Sequence, residues 1–458
     1  MADSTATAAQ SRAQETSTDD AVAHIVSNAN FKDISNRLLP LLRAFTLTTY
    51  LGKCSNGADP LDQLDPQEQS LGYLFFITTR CISDLQSNAR DLLRRLIFFI
   101  NTFSPEQVHL APERFTLIAD ALSHLAHRLE SPIIPVRPLR TAIQRFCGDR
   151  PVFTSLHASL AKYALLAKLY KDPLPVLDWD IEHVDATLDT NIEGFLSYYY
   201  YGAMIYIGNK KYGRALEFLS LAISAPSQAV SLIQLECFKK YVLLSLIQYG
   251  KLQPLPKYTA TVISKFVRRH CRQYISFADV YETQCIEKLT PALEKRREAF
   301  EKDNNWGLAG QCLRALQQQK IQGLTRTYIT LSVSDIAEKV GFIGEDANPE
   351  VEKNILEMVE QGSIFASIEH TGRGDHDEMV SFHDNPNSYD TSESLAILDE
   401  KISQAVMVGE RLNRQDKSTA LDRDFMSRMM LMVDGSQMSA MYEDEVDIMV
   451  DDDGRLYA

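Results

Sequence analysis

From residue 31 to about residue 330 apolar positions recur at helical spacing in one segment after another, separated by short breaks. Phe115, Ile118, Leu122, Leu125 and Leu129 follow at intervals of 3, 4, 3 and 4, which is one stripe of a helix over 113–130. Breaks fall at Pro132, Pro135 and Pro138, at Pro173 and Pro175, and at Pro254 and Pro256, where proline ends a helix because it lacks the N–H. Tyr199, Gly202, Ala203, Tyr206, Ala215, Leu219, Ala222 and Pro226 lie close to tetratricopeptide spacing, with small residues where two helices would meet. Only one such copy is evident, so degenerate helical-pair repeats are expected. Stacks of this kind bury a continuous core and leave long faces for partners.

The pattern changes after Gln322. Residues 327–331 form a short β-branched run, and Ser332 with Asp335 three positions on predicts a capped helix start. Ile336 and Val340 face inward on that short helix. A second helix over about 349–361 puts Val351, Ile355, Met358 and Val359 on one side. Ile364, Ala366 and Ile368 then alternate, a polar loop follows, and Val380 and Phe382 alternate again, which predicts a β-hairpin. Strand, helix, helix, hairpin is the order of a winged helix. Open strand edges attract further strands, so Ile364, Phe365, Ile368, Val380 and Phe382 are candidates for subunit contact, with edge donors expected at Phe365 and Ser367. Finally a helix over about 392–414 carries Leu395, Leu398, Ile402, Val406, Gly409 and Leu412 on one stripe, a second candidate surface. Asp390 with Glu393 offers its cap, and Arg411 and Arg414 suit the negative end of its dipole.

Composition agrees with a mainly α protein. The 458 residues are 45% apolar, enough for large cores. Twenty glycines and 17 prolines are fewer than the roughly 12% combined share usual in proteins. The net charge of −14 is concentrated at the ends: from Asp434 onward eight acids face only Arg455. Residues 1–30 are also acidic, so two disordered acidic tails are expected, 1–30 and 434–458. No apolar run nears the ~18–20 residues of a membrane helix. The first 20 residues hold no Leu, Ile, Val or aromatic residue, so no signal-peptide core is expected. The C-terminal Tyr457-Ala458 ends no prenylation or retention signal. Seven scattered cysteines, never in a C-x-x-C pair, fit reduced intracellular thiols better than disulfides or zinc.

The residues also argue against catalysis and against any cofactor. There is no His-x-His and no His followed by Glu, so neither zinc-hydrolase motif exists. Gly52-Lys53 and Gly250-Lys251 continue with Cys54 and Leu252 instead of the Ser or Thr of a phosphate-binding loop. No G-x-S-x-G occurs. The loop around His370, Asp375, His376, Asp377, Glu378, His383 and Asp384 is rich in metal ligands but reads as a solvated hairpin tip. Arg373-Gly374-Asp375 reads as a chance tripeptide, and His124 with His127 as a solvent-facing pair off the apolar stripe.

Winged helices often bind DNA, so charge decides. Across 333–362 eight acids face only Lys339 and Lys353, and such a surface repels phosphate. Protein binding is the better use of this module. One cationic cluster stands out: Lys265, Arg268, Arg269, His270 and Arg272, with Lys295, Arg296 and Arg297 further on. It reads either as a seat for an acidic partner surface or as a solvated helix face.

Five stretches carry a family resemblance: FLSYYYYGAMIY at 195–206, KKYVLLSLI at 239–247, PLPKYT at 254–259, DNN at 303–305 before Gly307-Leu308, and MVSFHDNP at 379–386. Together they resemble the third-subunit family of the COP9 signalosome, within the class of proteins with a PCI domain. The likeness is strongest over 195–433. It implies a helical-repeat arm (31–194), a PCI domain (195–387, with a helical bundle over 195–326 and a winged helix over 327–387) and a bundle helix (388–433). It further implies a non-catalytic scaffold in an eight-subunit complex that removes a ubiquitin-like modifier from cullins, the metalloprotease lying in another subunit. Implied partners are other signalosome subunits, of PCI and metalloprotease type, and indirectly neddylated cullin-RING ligases, in cytoplasm and nucleus; a membrane is not among them. The related PCI subunit of the proteasome lid and a nucleic-acid-binding winged-helix regulator are the alternatives.

Overall fold

The computed structural model describes residues 17–430, apart from 28–30, 56, 84–87, 149–151, 182–183, 185–189, 227–228, 343–346, 371–377, 385–390, 424 and 428–429. The acidic C-terminal tail, residues 1–16 and most of the ligand-rich hairpin loop therefore lie outside the described residues. The chain divides into two compact units, Met1–Thr327 with Ser332–Leu356, and Tyr328–Leu331 with Glu357–Ala458. Among the described residues no helix is long and apolar enough to cross a membrane.

The described residues of the first unit are mainly helical. Helix Ser70–Ser83 (SLGYLFFITTRCIS) is buried along its whole length to Cys81, as expected of a helix apolar on all sides. Helices Ala89–Thr102 and Pro112–Arg128 pack on it. The predicted stripe forms their contact: Phe115, Ile118, Leu122 and Leu125 are all buried. Arg80 is buried too, and its guanidinium is satisfied by the Tyr50 and Gly52 carbonyls (3.0 and 2.8 Å) and by the Asp59 carboxylate.

One expectation fails at the N-terminus. Residues Thr18–Ser27, assigned to the disordered tail by charge, form a helix with Ala21, Val22 and Ile25 buried. These three residues share one helical face, which the overall acidity of 1–30 obscured. Gly72 permits the contact, because a Cβ there would come within 2.6 Å of Ile25.

Beyond residue 150 the helices Ser155–Leu166, Ile192–Gly208, Tyr212–Ser224, Leu232–Tyr249 and Trp306–Thr325 pack each against the next. The tetratricopeptide-like residues do what their spacing implies. A Cβ on Gly202 would sit 2.8 Å from the Phe218 ring, so glycine lets helices Ile192–Gly208 and Tyr212–Ser224 approach closely. Tyr198, Tyr199 and Tyr206 surround Phe218 with ring centroids 5.0–5.8 Å apart.

At the start of helix Ser155–Leu166, the Thr154 N–H donates to Nδ1 of His157 (3.1 Å), and the ring lies in the core against Phe153. Burial lowers the His157 pKa to about 4, so the imidazole is neutral. In the unfolded chain it titrates near 6.5. Between those values the unfolded state binds the extra proton, so stability falls as pH drops through this window and is unaffected above it. The loss should approach roughly 3 kcal/mol at pH 4. Urea unfolding as a function of pH checks this: the difference between wild type and His157→Gln should shrink steadily below pH ~6.5. A constant difference would show that His157 does not titrate on unfolding.

The second unit holds a three-stranded sheet of order β1-β3-β2, with β1 at Thr330–Ser332, β2 at Ala366–His370 and β3 at Glu378–Phe382. Met358, Ile364, Val380 and Phe382 are buried here. Between β1 and β2 the chain forms helices Val333–Val340 and Ala347–Glu360, so the predicted order of strand, helix, helix and hairpin is present. Ser332 caps the first of these through Asp335 N–H (3.1 Å).

Candidate partner-binding surfaces

Helix Ser392–Ala420 has 29 residues and none is buried. Its cap is Thr391, one residue past the expected Asp390, and Thr391 Oγ1 accepts from the Ser394 N–H (3.3 Å). Leu395, Leu398, Ile402, Val406 and Leu412 are each more than half exposed, and Gly409 lies among them at intermediate exposure. Ile397 and Val408, equally exposed, widen the stripe on the Leu412 side. Sequence reading missed these two because they fall off the strict 3–4 spacing. Charged residues close the opposite face, where Arg414 pairs with Glu410 at 3.4 Å. An isolated amphipathic helix in water gains little from its own hydrogen bonds, so an apolar face of this extent is a candidate surface for burial against another element.

The hairpin is a different kind of surface. Ile364, Val380 and Phe382, expected to contact a neighbour, are buried and hold the sheet's own core, so their side chains are not available to one. Phe365 and Ile368 are half-buried. The strand order leaves β2 at an edge of the sheet. β2 and β3 run antiparallel with Ala366 opposite Phe382, Ser367 opposite Ser381 and Ile368 opposite Val380. The His383 N–H donates to the Phe365 carbonyl (2.8 Å), which makes 365/383, and by alternation 367/381 and 369/379, the hydrogen-bonded pairs. Phe365 and Ser367 therefore spend their backbone groups inside the hairpin, contrary to the expectation from sequence. The outward groups belong to Ala366, Ile368 and His370. Register of this kind depends on how the intervening loop closes, which alternation of side chains does not reveal.

Two of the family-like stretches meet in the first unit. Lys239 Nζ bonds Asp303 Oδ1 (2.8 Å) and Glu236 Oε1 (2.6 Å), while Lys240 Nζ donates to Asn305 Oδ1 (2.7 Å). Asn305 Nδ2 in turn donates to the Tyr274 hydroxyl (2.9 Å), which donates to Asp303 Oδ2 (2.8 Å). Lys240 and Asn305 are 4% and 2% exposed, so this is an interior network that joins helix Leu232–Tyr249 to the start of helix Trp306–Thr325. Burial, partly offset by Glu236, holds the Lys240 ammonium below the usual lysine range. The network organises the fold, and nothing in it resembles a nucleophile with its base.

Among the described residues no group of three or more His, Cys, Asp and Glu could hold a metal ion. His124 and His127 are exposed, as expected, beside Glu130 and Tyr163 in a shallow surface hollow.

Comparison with known proteins agrees with this architecture. Residues 44–263 match the family model for COP9 signalosome complex subunit 3, N-terminal helical repeats, and residues 268–384 match the PCI domain. COP9 signalosome complex subunit 3 of Arabidopsis thaliana is 33% identical over 371 residues, 81% of this chain and 83% of that protein. The protein of the same description from Dictyostelium discoideum is 29% identical over 390 residues, 84% of this chain and 91% of its own length. With helical repeats, PCI domain and similarity over most of its length, the chain belongs to the COP9 signalosome complex subunit 3 family.

Proposed function

We propose that this chain is a non-catalytic scaffold subunit of the COP9 signalosome, the complex that deneddylates cullins and so regulates cullin-RING ubiquitin ligases. The observation that carries the reading is the terminal helix, 29 residues long without one buried side chain. On this reading the helix joins a bundle built from several subunits, and the open edge of β2 pairs with a strand of a neighbouring winged helix. The chain meets cullins only through that assembly, in cytoplasm and nucleus, and the peptidase chemistry is supplied by a metalloprotease-type subunit. Eight carboxylates against two lysines over 333–362 favour protein over DNA as the partner of the winged helix.

The edge gives a direct test. Prolines at Ala366 and Ile368 remove outward donors and spare the hairpin ladder, whereas prolines at Phe365 and Ser367 break the ladder itself. Tagged wild-type chain should co-purify the other signalosome subunits, and Ala366→Pro/Ile368→Pro should lose at least one neighbour while its melting curve stays close to wild type. Phe365→Pro/Ser367→Pro should instead lower the melting temperature. A complex that stays whole with the outward pair would refute edge pairing; wild-type chain that brings down no signalosome subunit would refute the scaffold reading.

A further inference from the structure

The stretch PLPKYT at 254–259, with the helices that follow it, Thr261–His270 and Arg272–Glu282, bounds a groove of about 880 Å³. Pro254, Leu255 and Pro256 line it together with Val267, Ile275 and Phe238. Lys257, Arg268 and Arg272 line it too, and all three are exposed. They belong to a wider concentration of charge. Lys251, Lys257, Lys265, Arg268, Arg269 and Arg272 follow one another with no carboxylate before Asp279, in a chain whose net charge is −14. No ion pair to any of the six occurs among the described residues, although the protein pairs its arginines elsewhere. Arg297, from the other half of the basic cluster, bonds Glu301 (2.7 Å) and stacks on Trp306, and Arg296 reaches the Ser276 hydroxyl (2.9 Å). Thr259, also lining the groove, is 9% exposed and its hydroxyl has no hydrogen-bond partner among the described residues.

We propose that this groove is a docking site for an acidic, extended segment of a partner protein, with an aliphatic or proline side chain seated between flanking carboxylates. Apolar walls account for the buried side chain, and unpaired cations beside them account for the carboxylates. Nucleic acid fits less well. Its unstacked bases need exposed aromatic faces; the aromatic residue lining the groove, Phe238, is 5% exposed, and the exposed Tyr258 of the same stretch does not line it. Two carboxylates, Asp279 and Glu282, also line the groove and would repel a continuous run of phosphates; Glu282 accepts from the Leu252 N–H (3.1 Å). A peptide needs its acids only opposite the cations. The site uses no residue of the sheet edge or the terminal helix, so it stands independently of the assembly reading.

Panning the full-length protein against a library of random dodecapeptides, at ~0.15 M salt so that weak surface attraction is screened, tests the proposal. Enriched peptides should carry carboxylates on both sides of an aliphatic or proline residue. Titrated as a labelled probe, such a peptide should bind Arg268→Glu/Arg272→Glu about tenfold or more weakly, and Arg137→Glu, a charge reversal at an exposed site elsewhere, with unchanged affinity. Both variants alter exposed side chains, and matching melting curves verify that they fold. No acidic enrichment, or equal enrichment on the doubly reversed variant, would overturn the proposal. Displacement of the peptide by an oligothymidylate at lower concentration than by unlabelled peptide would assign the groove to nucleic acid instead.

Discussion

Truncation after Tyr389 should release this chain from its complex while leaving the melting temperature of the isolated chain unchanged. The two halves of that expectation have one cause. No residue of helix Ser392–Ala420 is buried, so its removal costs the isolated chain no core contact. On the proposed bundle reading, the same residues are the reserve of apolar surface. Burying Leu398, Ile402 and Leu412 would contribute roughly 1.5–3 kcal/mol each, enough to change affinity by several orders of magnitude. Polar substitution of Leu398 and Ile402 alone, both to Ser, should reproduce most of the loss without shortening the chain. Co-purification and a thermal melt on the same preparations decide the matter. A large fall in melting temperature on truncation would mean that the stripe serves this chain's own fold.

Asn305→Leu should destabilise the chain by roughly 3 kcal/mol, an effect large for one uncharged side chain, because it strands a buried ammonium. Lys240 Nζ loses its 2.7 Å acceptor and the Tyr274 hydroxyl loses a donor, with neither able to turn to water. Adding Lys240→Met should restore most of the stability, since two apolar groups of similar length leave no unpaired charge. Lys239→Met should cost less, because that lysine keeps partial access to solvent at 12% side-chain exposure and gives up an ion pair that is partly hydrated. Urea unfolding followed through the helical signal measures all three variants against wild type. A double variant no better than Asn305→Leu would show that the network is held by more than the charge balance between these two groups.

The lysine–asparagine pair also marks the boundary of what can be read from the chain alone. KK at 239–240 and DNN at 303–305 were both visible as distinctive words, and both contribute to the family resemblance. That they bond one another follows only from the packing of helices that brings together residues 65 positions apart, on which no local pattern bears. The basic cluster behaves similarly. Its charges are legible, but that Arg296 and Arg297 are bonded while Arg268 and Arg272 line a groove with no ion pair among the described residues depends on which elements lie beside them.

By itself the sequence determined the helical class, the apolar stripe of helix Pro112–Arg128, the winged-helix order of elements and the apolar stripe of the terminal helix. Each rests on short-range periodicity or on a capping residue, interactions within about four positions that every local segment carries with it. Tertiary structure decided three things that such patterns leave open. It made Thr18–Ser27 a packed helix despite its acidic setting, because Ile25 finds the space left by Gly72. It turned the donors of Phe365 and Ser367 inward and those of Ala366 and Ile368 outward, because register is a relation between two strands. It also separated the apolar residues of the hairpin from those of the terminal helix: Ile364, Val380 and Phe382 are buried, whereas Leu398, Ile402 and Leu412 stay in water. Periodicity shows that a face is apolar; only the arrangement of the whole chain shows whether that face is already covered.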